Sequence, residues 1–154
     1  MQLSELLRAD LIQTDLAAQD KFAAIAELVE LLIERGALDA KLRAAALKAL
    51  RAREELMSTG MEHGIAIPHA PCEGIGEVVA ALGLSRRGLD FDALDGKPTH
   101  IIILLVSPPN TFQTHVKTLA GIARVLNDGR LRSELRGAAT ADQAYQTLLQ
   151  HETR

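Results

Sequence analysis

Apolar and polar residues follow two different periods along this chain of 154 residues. Between residues 21 and 35 the apolar positions recur at the spacing of a helix with one buried face. Asp20 is well suited to cap the start of this helix, and Gly36 to end it. Residues 41–56 are rich in Ala, Leu, Lys, Arg and Glu, and predict a second helix.

Extended patterns lie between and beyond these helices. The strongest is the unbroken apolar run at residues 100–106, HIIILLV, which predicts a strand buried on both faces and therefore helices on both sides of its sheet. Further strands are predicted at residues 11–16, 65–67 and 78–84, whereas residues 85–88, SRRG, are typical of a turn.

Helical signals return after the long strand. Thr111 or Thr114 is expected to cap a helix that runs to about Asn127. Strands and helices interleave with no internal repeat or linker, which predicts an α/β fold: a single domain over residues 1–154 with a small mixed sheet flanked by helices on both faces. Shorter helical segments are expected at residues 3–7, 131–135 and 140–149.

One histidine has an unusually stiff predicted setting. Pro68 lacks an N–H group and restricts Ile67 to an extended backbone, so the strand is expected to end there and to present His69 at its edge. Such a histidine can act as a nucleophile, a general base or a metal ligand, or it can be a structural residue bonded to a backbone carbonyl. The residues alone leave these alternatives open.

Two further residues are candidates for the same site. His115 lies on the helix after the long strand, in line with the apolar stripe of that helix. It can be a histidine at the edge of the core. Alternatively, it can bind a phosphate, provided that the helix start meets the strand end that carries His69. Arg53 is either a solvated surface arginine or a cation beside the loop that leads to His69.

Other chemistries receive less support. His63, His69 and Cys72 have a spacing that loosely permits zinc, but no fourth ligand pattern accompanies them. His100 and His151 are interpreted as structural or solvated. The chain contains no G-x-x-x-x-G-K-[ST], G-x-G-x-x-G or G-x-S-x-G motif, so nucleotide sites and hydrolase elbows of those kinds are not indicated.

Charge and composition narrow the function classes. The formal net charge of −3, without a long Lys/Arg run, disfavours binding to polyanions such as nucleic acid. The single cysteine, Cys72, fits a reducing compartment. No apolar run approaches the ~20 residues of a membrane span, and the N-terminus lacks a signal-peptide layout, so we expect a cytoplasmic protein without a membrane segment.

A family resemblance connects these residues. The run STGMEHGIAIPHA at residues 58–70, preceded by Arg53-Glu54 and followed by His115-x-x-x-Leu119, resembles the IIA domains of the bacterial phosphoenolpyruvate-dependent phosphotransferase system. The resemblance is to the fructose/mannitol class, and most closely to its nitrogen-related regulatory members. It implies a mannitol-type α/β sandwich in which His69 is phosphorylated, His115 contacts the phosphoryl group and Arg53 stabilises its charge.

The resemblance also implies partners. The phosphate donor would be an HPr-type phosphocarrier protein, and the output either a regulatory target protein or a IIB protein of fructose or mannitol uptake, with no cofactor, metal or nucleic acid. Two positions depart from the family pattern, His63 in place of a small polar residue and Ala70 in place of glycine. Apolar residues near the site either form a docking rim for the carrier or pack the loop: Met57, Met61, Pro71 and Ile75.

Overall fold

A strand buried on both faces lies inside a mixed five-stranded sheet. The computed structural model describes residues 2–152, apart from the side chains at positions 112 and 113. Its strands are β1 Ile12–Gln13, β2 Ile65–Ala66, β3 His69–Pro71, β4 Val79–Leu89 and β5 Thr99–Ser107. Its α-helices are α1 Leu3–Leu6, α2 Lys21–Glu34, α3 Arg43–Leu56, α4 Phe112–Leu126, α5 Gly129–Arg136 and α6 Ala141–Glu152, with 3-10 turns at Ala9–Leu11 and Ala40–Leu42.

The strand order is β1-β4-β5-β2, and β3 also pairs with β5. β4 and β5 are antiparallel, whereas β1 runs parallel to β4, and β2 and β3 run parallel to β5. One group of helices, α2 and α3, packs against β4 and β3, and a second group, α5 and α6, against β4 and β1. Every side chain from Ile101 to Val106 is fully buried, so both faces of β5 are covered. The predicted α/β architecture is confirmed.

Local helix signals were mostly sufficient to locate the helix ends. The Asp20 side chain accepts a hydrogen bond from the Ala23 N–H at 2.8 Å, and Gly36 follows α2 with φ +76°, as predicted. Thr111 does precede α4, but its hydroxyl donates to the Pro108 carbonyl at 2.7 Å and does not cap the helix. The position of that helix start was therefore right and its capping chemistry wrong.

The predicted turn at residues 85–88 is wrong. These residues continue β4 through an irregularity between Leu84 and Leu89, where Gly88 takes φ +86°. The Gly88 N–H donates to the Ser85 hydroxyl at 3.1 Å. Turn-forming residues serve here as a bulge that bends one long strand, because a glycine with positive φ fits either role.

Two predicted boundaries at the ends of the chain also change. The first strand contains only Ile12–Gln13, because a 3-10 turn occupies the residues just before it. α6 continues to Glu152, whose carboxylate accepts from the Ser4 N–H at 3.1 Å and joins the last helix to the first. His151 is structural, with its side chain 4% exposed between Asp128 and Glu134. Within residues 2–152, no helix is both long and apolar enough to span a membrane.

Candidate active site

The segment that carries His69 pairs with β5 on both sides of a proline. β2 aligns Ile65 with Ile101, and β3 aligns His69 with Leu105. The strand was predicted to end at Pro68, and β2 does end just before it, at Ala66. The pairing with β5 was not expected to resume, but β3 begins at His69, and the Pro68 carbonyl accepts a hydrogen bond from the Leu105 N–H at 2.9 Å. Proline removes one donor and leaves its acceptor, so the segment is anchored to β5 both before Pro68 and after it.

One ring nitrogen of His69 is fixed by its own backbone. Nδ1 lies 2.7 Å from the Ile67 carbonyl oxygen. A carbonyl only accepts, so Nδ1 carries the proton and the lone pair of the neutral ring lies on Nε2. Burial lowers the pKa of His69 below its ordinary value, the bond to Ile67 opposes this change, and the positive charge of Arg53 lowers the pKa further. The ring is therefore held as a neutral imidazole with Nε2 as its basic nitrogen.

His115 lies beside this ring. The ring centroids of His69 and His115 are 5.1 Å apart, and the ring planes are tilted by 46°. Both ring nitrogens of His115 are buried, and neither has a hydrogen-bond partner among the described residues. Burial lowers the pKa of His115, and the neighbouring His69 lowers it further. Because buried polar atoms are normally paired, two unpaired nitrogens beside a second imidazole indicate a place for a polar ligand.

Arg53 belongs to the same site through its charge. It lies half-buried in the last turn of α3, and its Nη1 donates to the Met57 carbonyl at 2.7 Å. That bond turns the chain out of α3 into the loop that leads to β2. The structure thus brings His69 and His115 into ring contact and places the Arg53 charge close enough to act on His69.

Glu54 and Thr59 support the site, and the sequence did not single them out. Glu54 is only 2% exposed, and its carboxylate accepts from the Thr59 N–H at 3.0 Å and the Thr59 hydroxyl at 3.1 Å. The Thr59 carbonyl in turn accepts from the Ile67 N–H at 3.2 Å. Since Ile67 fixes the His69 ring, a buried carboxylate is connected to the imidazole through the backbone. Its position one residue after Arg53 was the available signal, but Glu55 beside it is exposed and looks identical in sequence.

Gly60 is required because the loop packs closely against the segment that follows β4. A Cβ on Gly60 would lie 2.8 Å from the Phe91 carbonyl oxygen and 2.9 Å from the Ala93 Cα. The Ser58 hydroxyl also donates to the Phe91 carbonyl and accepts from the Gly60 N–H. The loop at residues 58–60 is therefore fixed against the segment that follows β4.

The alternative zinc site receives no support from the geometry. In the described part of the chain, no group of three or more His, Cys, Asp and Glu side chains is arranged to hold a metal ion. His63 is exposed, whereas Cys72 is a free, buried thiol whose pKa is raised by burial and by the charge of Glu73.

The comparisons with known proteins agree with this geometry. A family model described as "Phosphoenolpyruvate-dependent sugar phosphotransferase system, EIIA 2" matches residues 5–151. The fructose-specific EIIABC component of Bacillus subtilis is 31% identical over 152 residues, a match that covers 99% of this chain and 24% of that protein. The chain thus spans about a quarter of the length of this relative.

Solved structures give the same fold. Nitrogen regulatory protein IIA-Ntr from Neisseria meningitidis superposes with a TM-score of 0.84 at 30% identity, covering 95% of this chain and 98% of that one. The IIA mannitol enzyme in a complex with phosphorylated IIB mannitol from Escherichia coli superposes with a TM-score of 0.77. At 19% identity, over 94% of this chain and 97% of that one, this second likeness shows the fold alone.

These matches confirm the resemblance that the 58–70 segment indicated. The chain therefore belongs to the EIIA type-2 family of the phosphoenolpyruvate-dependent sugar phosphotransferase system, whose members are phosphohistidine phosphoryl carriers.

Proposed function

We propose that His69 is the phosphoryl acceptor and that the group is bound through Nε2. The observation that carries this proposal is the pair of imidazoles 5.1 Å apart between ring centres. One of them is fixed through Nδ1 by Ile67, and the other has no partner of its own. The lowered pKa of His69 keeps its Nε2 lone pair available at neutral pH.

The chemistry is an exchange between two imidazoles. The Nε2 lone pair forms a bond to phosphorus while the phosphorus–nitrogen bond of the donor breaks. The donor ring, which carries a proton on its other ring nitrogen, takes back the electron pair of that bond and leaves as a neutral imidazole. His69 keeps its Nδ1 proton, and the Ile67 carbonyl at 2.7 Å stabilises the positive charge that the ring gains. No proton has to be transferred, so the work of the site is in-line positioning and charge stabilisation.

His115 and Arg53 are proposed to stabilise the phosphoryl oxygens. His115 has two buried nitrogens without partners among the described residues, and a nitrogen that carries a proton can donate to a phosphoryl oxygen. Arg53 uses Nη1 for Met57, and its remaining N–H groups and its charge suit a phosphate.

The proposed donor is an HPr-type phosphocarrier protein that docks beside Arg53. Met57 is 70% exposed and Leu56 is 85% exposed, so two adjacent apolar side chains project next to the site. Met61 and Ile75, also expected in a docking rim, are partly buried against the core, which favours loop packing for both. We place the rim at Leu56, Met57 and the exposed Pro71.

We propose a regulatory, nitrogen-related output, with transfer to a IIB protein of fructose or mannitol uptake as the second candidate. The near-complete mutual coverage with IIA-Ntr from Neisseria meningitidis supports the first. The fructose-specific EIIABC relative supports the second. On either reading, residues 1–154 act as one EIIA domain, and the free thiol of Cys72 fits the cytoplasm.

Incubation with phosphoenolpyruvate and the two upstream proteins tests the acceptor. We expect a mass gain of one phosphoryl group, lost in His69→Ala. His63→Asn is the matched control, because His63 is exposed, takes φ +67°, and asparagine tolerates that backbone. Retained phosphorylation in His69→Ala, or its loss in His63→Asn, would contradict the assignment.

A pull-down separates the two outputs. Phosphorylated and unphosphorylated protein are compared for partner binding, and purified IIB proteins are tested as phosphate acceptors. A partner bound by one form only supports regulation. Rapid transfer to a IIB protein with no form-dependent partner supports sugar uptake.

A further inference from the structure

A cavity lies toward the opposite end of β5 from His69. It measures about 740 Å³, and its lining includes His100. His69 pairs with Leu105, five positions further along the strand, a separation of about 17 Å at the rise of a β-strand. The cavity is therefore separate from the phosphoryl-transfer site.

Basic side chains from three elements line this cavity, here called the basic cleft. Arg86 comes from β4, Lys97 from the turn before β5, and Arg132 and Arg136 from α5. Among the described residues, Asp95 is the one acidic member of its lining, which leaves a surplus of three positive charges there. These residues are far apart in sequence, which is why the net charge of −3 gave no sign of a basic site.

Asp95 does not neutralise this charge by pairing with an arginine. Its carboxylate accepts from the backbone N–H groups of His63 at 3.1 Å and Lys97 at 3.0 Å. These bonds lower the pKa of Asp95 and connect two loops into one wall of the basic cleft.

The arginines of α5 fall into two sets. Arg130, outside the basic cleft, forms an ion pair with Glu134 at 3.1 Å. Arg132 and Arg136 face the basic cleft, and neither lies within ion-pair distance of a carboxylate in residues 2–152. Within residues 2–152, the arginine on the outer side of the helix thus has a carboxylate partner, and the two arginines that line the cavity have none within ion-pair distance.

Two of the cleft arginines are held in place by backbone carbonyls. Arg132 Nη1 donates to Leu126 at 2.9 Å, and Arg86 Nη2 donates to Ala138 at 3.2 Å. Each bond uses one donor of a guanidinium that has five, so both side chains are oriented and keep donors for a ligand.

We propose that the basic cleft binds a small diphosphate, either the free ion or the diphosphate group of a small organic ligand. Its volume lies in the range of roughly 300–1,000 Å³ usual for small-ligand sites. Arginine forks match phosphate oxygens, and cations contributed by three separate elements suit a ligand with more than one phosphate. Leu84 and Pro98 are the main apolar side chains of the lining, so a hydrophobic ligand would find little to contact.

Calorimetric titration of the full chain with ADP, pyrophosphate and orthophosphate tests this site. We expect ADP and pyrophosphate to bind, orthophosphate to bind at least tenfold more weakly, and all three to weaken between low and physiological salt. Arg132→Gln should weaken ADP binding at least fivefold. Arg130→Gln removes the same charge from the same helix outside the basic cleft, and should change binding less than twofold.

Two further measurements distinguish binding in the basic cleft from binding at the His69 site. Amide spectra should show shifts at Gly64, Gly129 and Gly137, which line the basic cleft, and none at Gly121 on α4. Arg53→Gln should leave ADP binding unchanged, because Arg53 belongs to the other site. The proposal is overturned if ADP does not bind, if orthophosphate binds as tightly, or if Arg53→Gln abolishes binding while folded Arg132→Gln retains it.

Discussion

Replacing Glu54 by glutamine tests whether the buried Glu54 carboxylate holds the loop and strand that position His69. The substitution keeps the shape of a side chain in a residue that is 2% exposed, and removes the charge that accepts from the Thr59 N–H and hydroxyl at 3.0 and 3.1 Å. It also removes the negative charge that lies 3.9 Å from Lys21 Nζ. Hydrogen bonds to charged groups contribute about 1.5–3 kcal/mol against roughly 1 kcal/mol for neutral ones, and a buried unpaired amide donor costs about 1–3 kcal/mol.

We therefore expect Glu54→Gln to lower the free energy of unfolding by about 2–4 kcal/mol, measured by urea denaturation. Glu55→Gln is the matched control: Glu55 is exposed, and its one ion pair within residues 2–152 is with Arg51 at i,i+4, a contact that contributes about 0.3–0.5 kcal/mol. Phosphoryl transfer to the folded variant should slow by roughly ten- to a hundredfold, because Thr59 holds the strand that positions His69. Equal unfolding energies for the two variants would refute the buried role of Glu54.

Three other perturbations test the remaining parts of the site. Burial lowers the pKa of His69 below its ordinary value of about 6.5, so the rate of phosphoryl acceptance should fall only as the pH is lowered below about 6.5. A midpoint of this decline above pH 6.5 would contradict the neutral, buried imidazole. Arg53→Gln and His115→Asn should each slow phosphoryl transfer by about tenfold or more, with circular dichroism spectra unchanged. Wild-type transfer rates in both variants would show that the two side chains have no part in phosphoryl transfer. Gly60→Ala should cost about 1–3 kcal/mol of unfolding free energy because the new methyl group meets fixed backbone, whereas Gly121→Ala, with open space in a helix, should gain about 0.5–1 kcal/mol.

The sequence predicted those parts of the fold that depend on local pattern. The helix after Asp20 and the buried strand at residues 99–107 follow from apolar spacing and cap chemistry, which act over a few residues. The segment at residues 85–88 was mistaken for a turn because a glycine in the left-handed region serves a turn and a bulge equally well. Only the pairing with β5 distinguishes the two, and pairing is a long-range property.

The same limit explains what was predicted of the site. His69 could be located from Pro68 beside it, and His115 and Arg53 were candidates to which the family resemblance gave roles. Glu54 could not be separated from its exposed neighbour, because burial of a carboxylate depends on which loop folds back over it. The basic cleft was not visible at all, because its cations come together only when α5 packs beside the turn before β5.

The proposed phosphoryl acceptor is a single nitrogen atom, Nε2 of His69. NMR of protein with 15N-labelled histidine, recorded before and after phosphorylation, identifies both the residue and the ring nitrogen that bears the phosphoryl group. Because Nδ1 of His69 donates to Ile67 at 2.7 Å, we expect one new phosphorus–nitrogen bond, at Nε2 of His69, with the Nδ1 proton retained. Phosphate on Nδ1 of His69, or on His115, would contradict it.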